Sequence, residues 1–234
     1  MAVAHDAATE SHTGTTGSTN EASFTWDHAG ASSGVKGILV FVYTTNTAVD
    51  LATSVTYDGA NVPAVAGGLA VDTLTEIGQC KAFFLGTGVA QGTKAVVVNR
   101  TNNGQTMWGV SATQLASGDL EYTGVLIEEE NQALTEENID DGSPGTNSLR
   151  YAGAYSGVAN VTAALVPGAN STEIGAIDFG AFVAMAVRET TAGQGSRPVG
   201  MVAATDDVAA VYLAIREPAT STAASSRMMT MGVG

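Results

Sequence analysis

Between Ser23 and Glu217 the chain is a succession of short strand-like runs, separated by turns rich in glycine and asparagine. The runs are Ser23–His28, Gly37–Tyr43, Ser54–Val62, Gln79–Leu85, Lys94–Asn99, Met107–Ala116, Tyr122–Glu128, Ser148–Tyr155, Ile177–Arg188, Val199–Ala203 and Val208–Arg216. Their spacing is typical of an all-β sandwich or barrel, and no helical stretch long enough for a βαβ crossover separates them. We therefore predict an all-β fold of roughly eleven strands.

Three runs carry the clearest local signals. Phe24 and Trp26 alternate with polar residues, which predicts a strand with one buried face. The unbroken apolar run from Ile38 to Val42 predicts a strand that is covered on both faces. Asp58 and Gly59 form the dipeptide that tight hairpin turns prefer, because both positions need positive φ angles. Strands of these kinds, joined by tight turns, are typical of a β-sandwich.

The length of 234 residues fits one sandwich domain with two tails. Residues 1–22 are predicted to be an extended N-terminal arm, since residues 7–20 are mostly Ala, Thr, Ser and Gly and lack core-forming side chains. The sandwich would span residues 23–217. Residues 218–234 form a C-terminal tail that starts at Pro218.

The tip of the C-terminal tail is apolar. After the small and polar residues 219–227, the chain ends with Met228, Met229, Met231 and Val233 among its last seven residues. Methionine is adaptable and apolar, so these four side chains are predicted to bind a partner, either a neighbouring subunit or the domain itself. The alternative is a disordered C-terminal tail that binds nothing.

The net charge of −14 makes nucleic acid and anionic membranes poor partners, because 23 acidic residues face only 9 basic ones. Such a surface suits a particle exterior or a salty medium. The start of the chain lacks the pattern of a signal peptide, and no run approaches the ~20 apolar residues of a membrane span. We expect synthesis in a cytoplasm.

Cysteine and histidine give no sign of a metal or redox site. Cys80 is the only cysteine, so an intramolecular disulfide is excluded, and its apolar run predicts a buried, inert thiol. His5, His12 and His28 lie in or next to the arm without obvious further ligands, so solvated or capping roles are predicted. No cofactor and no metal are expected.

Residues 128–141 contain seven acidic residues and no basic residue. Calcium prefers oxygen ligands, but the spacing does not match an EF-hand loop. The pattern favours a solvated acidic loop, with calcium binding as the alternative.

No motif predicts catalysis. Residues 86–94 lack the glycine–lysine spacing of a phosphate loop, and residues 30–34 fit G-x-S-x-G but are followed by a strand rather than a helix. We therefore predict no catalytic residues and no enzyme activity. The aromatics that could stack on sugar rings are Trp26, Trp108, Tyr122, Tyr151 and Tyr155. For Trp26 and Trp108 a core position is favoured, since each lies within a strand-like run.

The order of the runs resembles the β-sandwich modules of tailed-phage virion proteins and of environmental surface proteins. The resemblance is carried by the strand ending near Trp26 and by Gly37–Tyr43, Ser54–Gly59, Cys80–Leu85, Gly92–Val98 and Val208–Arg216. It implies a jelly-roll-like sandwich that decorates a particle or projects from it, and it transfers no catalytic residue.

From this resemblance we expect a virion structural protein, specifically a capsid decoration (cement) protein assembled in the host cytoplasm. Its partners would be the major capsid protein and copies of itself, in a homo-oligomer that the tails favour as a trimer or a higher assembly. The alternative is a carbohydrate-binding or adhesion module of a tail fibre or surface protein. An enzyme such as a glycosidase ranks below both.

Overall fold

The computed structural model describes residues 3–6, 11–15, 22–74, 77–101, 105–142, 147–157, 165–178 and 182–218, with the backbone alone at 11–15, 131 and 206. All regular elements in these ranges are β-strands, and all their pairings are antiparallel, which confirms the predicted all-β class. No helix long and apolar enough to cross a membrane occurs among the described residues.

The strands are, in chain order, β1 (Ala4–His5), β2 (Ser11–Thr15), β3 (Ser23–Ala31), β4 (Val35–Thr45), β5 (Ala52–Tyr57), β6 (Ala60–Val62), β7 (Ala64–Asp72), β8 (Gly78–Leu85), β9 (Gly92–Arg100), β10 (Met107–Leu115), β11 (Glu121–Gln132), β12 (Glu137–Asp140), β13 (Leu149–Gly157), β14 (Val166–Pro167), β15 (Ser171–Asp178), β16 (Val183–Glu189), β17 (Ser196–Val199), β18 (Met201–Val202) and β19 (Asp206–Arg216).

Three main sheets pack face to face. The central sheet has the order β1-β10-β4-β8-β7, with β2 also paired to β10. The four-stranded sheet has the order β3-β9-β5-β6, and the five-stranded sheet has the order β11-β19-β13-β16-β15. Two short pairs, β12-β17 and β14-β18, complete the fold. Face-to-face packing of antiparallel sheets is the arrangement of a β-sandwich. The finer jelly-roll topology stays a prediction.

The central sheet is buried on both faces. In β4, Leu39 and Phe41 belong to the core shared with the five-stranded sheet. The intervening Val40 and Val42 belong to the core shared with the four-stranded sheet. Because successive strand residues point to opposite faces, only a continuous apolar run can serve both cores. The prediction for Ile38–Val42 is confirmed.

A third core lies on the far face of the five-stranded sheet. Tyr212 of β19 belongs to it, whereas its neighbours Val211 and Leu213 face the central sheet. Leu134 and Met201 cover this far face from the connections and short strands. The described part of the fold therefore has three apolar cores. Two lie between the central sheet and its neighbours, and the third covers the outer face of the five-stranded sheet.

Most predicted runs correspond to strands of the fold, but two runs predicted as single strands each span parts of two strands. The run Val199–Ala203 takes in the last residue of β17 and all of β18, which pair with different partners. The run Ile177–Arg188 is not one strand, since it takes in the end of β15 and most of β16, two antiparallel partners. Five described strands within residues 23–217 were missed wholly or for the most part: β7, β12, β14, most of β15 and most of β17. Part of the predicted arm, residues 4–5 and 11–15, pairs with the central sheet. Of the C-terminal tail, only Pro218 is described.

The turn at Asp58 and Gly59 joins β5 to β6 as predicted, with φ of 51° and 79° respectively. Gly59→Ala is expected to cost about 1–2 kcal/mol of unfolding free energy, because an L side chain is strained at this φ although the space around it is open. Chemical denaturation measures the loss. Gly118→Ala is the matched control, since only Glu217 Oε1 lies near its added Cβ, at 3.8 Å. Equal stability of the two variants would contradict the assignment.

Candidate functional site

The candidate site is the edge of the central sheet where the N-terminal segment pairs with β10. On one side β10 pairs with β4, and on the other it pairs with β1 and β2. The register places His5 opposite Gln114 and Ser11 opposite Ser111. Asp6 N donates a further hydrogen bond to Thr113 O at 3.0 Å. Without this segment, β10 would present an unpaired row of backbone donors and acceptors.

A buried polar network lies beneath this edge. Trp26 Nε1 donates to Ser111 Oγ at 3.0 Å, and Ser111 Oγ lies 2.8 Å from His28 Nδ1. His28 Nε2 lies 3.4 Å from Thr113 Oγ1, which donates to Asp6 Oδ2 at 3.5 Å. Because Ser111 accepts from Trp26 and still has a hydrogen to donate, we assign the His28 proton to Nε2. With this assignment every hydrogen bond of the network is donated in the same direction, from the Trp26 indole towards the Asp6 carboxylate.

Burial keeps His28 and His5 neutral. His28 is 0% exposed, and desolvation lowers its pKa to about 4, against the raising effect of Asp6. The pKa of His5 is lowered to about 3, first by burial and then by the charge of Arg188. His5 Nδ1 lies 3.0 Å from Tyr151 OH. The predicted solvated or capping role is wrong for His28, which is a core residue.

Asp6 connects the N-terminal segment to the turn between β3 and β4. Its Oδ2 accepts from Ser32 N at 2.8 Å, and its Oδ1 accepts from Ser32 Oγ at 2.9 Å. Asp6 is 4% exposed, so these bonds and the contact with Thr113 offset its desolvation. The G-x-S-x-G segment thus forms a turn between strands, as predicted, and its serine holds the arm.

Serine, histidine and aspartate also make up nucleophilic triads, but this arrangement lacks the access that catalysis needs. Ser111, His28 and Thr113 are each 0% exposed. The Ser111 hydroxyl accepts a hydrogen bond from Trp26 Nε1, and its own hydrogen is directed at His28 Nδ1. A nucleophile has to reach its substrate. The geometry therefore supports a clamp that fixes the N-terminal segment to two sheets.

A second buried cluster surrounds Arg150 on β13. Its Nε donates to Ile139 O at 2.8 Å, and its Nη1 donates to Glu189 Oε2 at 2.9 Å. Its Nη2 lies 3.5 Å from Asp141 Oδ2. Burial raises the pKa of Glu189, and the charge of Arg150 opposes that rise. The cluster joins β13 to β16 through an ion pair and to β12 through a hydrogen bond, and it has a structural role.

The acidic segment 128–141 is not the predicted solvated loop. Its first part lies in β11 and its last part in β12. Glu128 accepts from Tyr212 OH at 2.5 Å, Glu129 from Val71 N at 2.7 Å, and Glu136 from Asn170 N at 2.7 Å. Among the residues that the structure describes, no group of three His, Cys, Asp or Glu could hold a metal ion. The carboxylates are spread over separate structural contacts.

The aromatic and cysteine predictions can be compared directly with burial. Trp26 and Trp108 are 7% and 0% exposed, which confirms their core positions, and Tyr151 and Tyr155 are also buried. Of the aromatics considered for sugar stacking, only Tyr122 is partly exposed. Cys80 is buried and donates to Gly153 O at 3.3 Å, and burial raises the pKa of its thiol. The prediction of a buried thiol is confirmed.

The predicted partner-binding residues Met228, Met229, Met231 and Val233 lie outside the described part of the chain. Sequence reasoning missed the clamp, although a signal was present. His28 continues the alternation of Phe24 and Trp26, so it belongs to the buried face of β3. Ser111 and Thr113 are polar residues two apart in an apolar strand, which marks a buried polar contact.

Comparison of the chain with models of protein families, with curated proteins and with solved structures gives no match. The fold and the geometry of the β10 edge are therefore the basis for a functional proposal.

Proposed function

We propose that this protein is a structural protein of a tailed-phage virion, specifically a capsid decoration (cement) protein that binds and stabilises the head shell. The observation that carries the proposal is the pairing of the N-terminal segment with β10. An edge strand that an exchangeable segment adds to a sheet is a device by which one subunit can fasten another.

The N-terminal segment can be exchanged at low cost. β1 and β2 are 2 and 5 residues long, and β10 is their strand partner. The β10 edge of a second copy offers the same donors, acceptors and register. Exchange between copies replaces each contact with an identical one, so little free energy opposes it. In a shell with many copies at fixed spacing, such exchange links neighbours.

The rest of the molecule suits the exterior of a particle. Its stacked sheets enclose apolar cores, and its net charge of −14 disfavours unspecific association. The partners in this proposal are the major capsid protein and further copies of the chain. The described residues offer a buried clamp and a buried ion cluster, neither of which can reach a substrate.

The test uses the register of β1 and β10, in which Ala4 lies opposite Leu115. Cysteines at such directly opposed positions are close enough to form a disulfide. The variant A4C/L115C is expected to form disulfide-linked multimers when oxidised within tailed-phage heads purified from the source that carries this gene. Non-reducing electrophoresis and mass spectrometry of the heads provide the readout.

The single variant A4C is the matched control, because Cys80 is buried and should not react. Absence of the protein from the heads would overturn the virion proposal. Its presence with only intrachain disulfides would overturn the exchange of the arm.

The alternative, a carbohydrate-binding module, has less support. Four of its five candidate aromatics are buried, so the described residues present no platform of exposed rings. A glycan array with and without a chelator would detect such binding.

A further inference from the structure

An open apolar groove lies at the end of the fold where the described chain stops. Its volume is about 340 Å³, and the residues that line it include Pro63, Ala64, Phe84, Leu120, Glu121 and Tyr122. We call it the Phe84 groove. Its volume is within the range of small-ligand sites, and its walls are mainly apolar.

The walls of the Phe84 groove are held firmly in place. The rings of Phe84 and Tyr122 meet edge to face with centroids 6.1 Å apart. Tyr122 OH accepts from Ala66 N at 3.0 Å, Phe84 N donates to Pro63 O at 2.8 Å, and Leu120 N donates to Gly86 O at 2.8 Å. These contacts fix the walls of the groove, which lowers the ordering cost of binding.

The C-terminal segment starts beside this groove. Arg216, the last residue of β19, is the register partner of Glu121. Glu217 Oε1 then accepts from Ser117 N at 2.7 Å and from Gly118 N at 2.8 Å. The chain therefore leaves the last strand at the loop that leads into Leu120 and Glu121. Residues 219–234 continue from that point.

The C-terminal segment has the length and chemistry to fill the groove. Residues 219–227, extended, reach roughly 30 Å, so distance does not prevent a return to the groove. Methionine side chains fill irregular apolar gaps and make favourable sulfur contacts with aromatic rings such as Phe84 and Tyr122. Arg227 is the only charged side chain among residues 219–234. It would face a rim that carries Glu121 and the nearby Asp119.

We propose that the Phe84 groove binds the methionine-rich segment 228–233 of the same chain. The proximity of Glu217 to the groove is the reason for choosing the chain's own segment over that of another copy. The docking is a property of the free protein, so it holds or fails independently of any role in a virion.

Trypsin cleavage after Arg227 tests the docking in the chain of 234 residues. A docked segment is cleaved only when it opens, so the rate follows the open fraction. Ala64→Glu places a charge in the groove at an exposed position, and cleavage after Arg227 is expected to accelerate at least about tenfold. Intact-mass measurement of the loss of residues 228–234 gives the rate.

Val202→Glu is the matched control, because Val202 is 44% exposed and lies on β18, outside the groove. This variant is expected to be cleaved at the wild-type rate. Equal rates for the wild type and Ala64→Glu would overturn the proposal. A wild-type rate that rises on dilution would also overturn it, since protection would then come from the segment of another copy.

Discussion

Arg150→Met is expected to lower the unfolding free energy by about 3–5 kcal/mol, because it removes the buried cation that two buried acids share. The guanidinium is 0% exposed and contacts both Asp141 and Glu189. Methionine fills much of the same volume, so the loss reflects charge and hydrogen bonds more than a cavity. Urea denaturation at neutral pH measures the change.

Lys94→Met is the control, since Lys94 pairs with Asp58 at 3.1 Å on the surface and both side chains are partly exposed. Surface pairs contribute at most about 1 kcal/mol. The double variant R150M/E189Q should recover part of the loss, because it removes one of the two buried negative charges that Arg150 neutralised. A loss from Arg150→Met no larger than that from Lys94→Met would show that the cluster does not stabilise the fold.

The second large effect is a loss of stability in mild acid caused by His28. Its pKa is about 4 in the fold and 6.5 in the unfolded chain, so the unfolded chain takes up the proton first. The contribution is fully present above pH 6.5 and is lost as the pH falls to about 4. The loss amounts to about 3–4 kcal/mol, since each tenfold change in proton affinity is worth about 1.4 kcal/mol. His5 acts in the same direction.

The effect is measured as the difference between the wild type and His28→Gln across this pH range. The comparison is necessary because Glu128 and Glu189 have raised pKa values, so their contributions grow as the pH falls. The wild type should lose stability relative to the variant below pH 6.5, while the difference stays constant at higher pH. Parallel curves throughout would contradict a buried, neutral His28.

Local sequence patterns were sufficient to predict elements that a few adjacent residues specify. The apolar run of β4 and the Asp58–Gly59 turn are examples, because each is specified by adjacent residues. β7 was missed since Gly67 and Gly68 interrupt it, and its pairing with β8 shifts register between Ala64 and Leu69. A bulge of this kind breaks the alternation on which strand prediction depends.

The clamp and the Arg150 cluster could not be assembled from sequence, because their members are far apart in the chain. His28 and Ser111 are separated by 83 positions, and Arg150 and Glu189 by 39. Periodicity places His28 on a buried face of its strand, but it does not predict which polar side chain forms a hydrogen bond with the imidazole. Only the pairing of strands across the sheets determines that.

The position of the N-terminal segment on β10 also sets an order of events during synthesis. Residues 4–5 and 11–15 leave the ribosome long before Met107–Leu115, their partner strand. At translation rates of about 5–20 residues per second, the roughly 100 intervening residues take about 5–20 s. Throughout that time the segment is unpaired within its own chain. A finished copy nearby whose β10 edge is free could capture it first, so newly made subunits could be linked before they are complete.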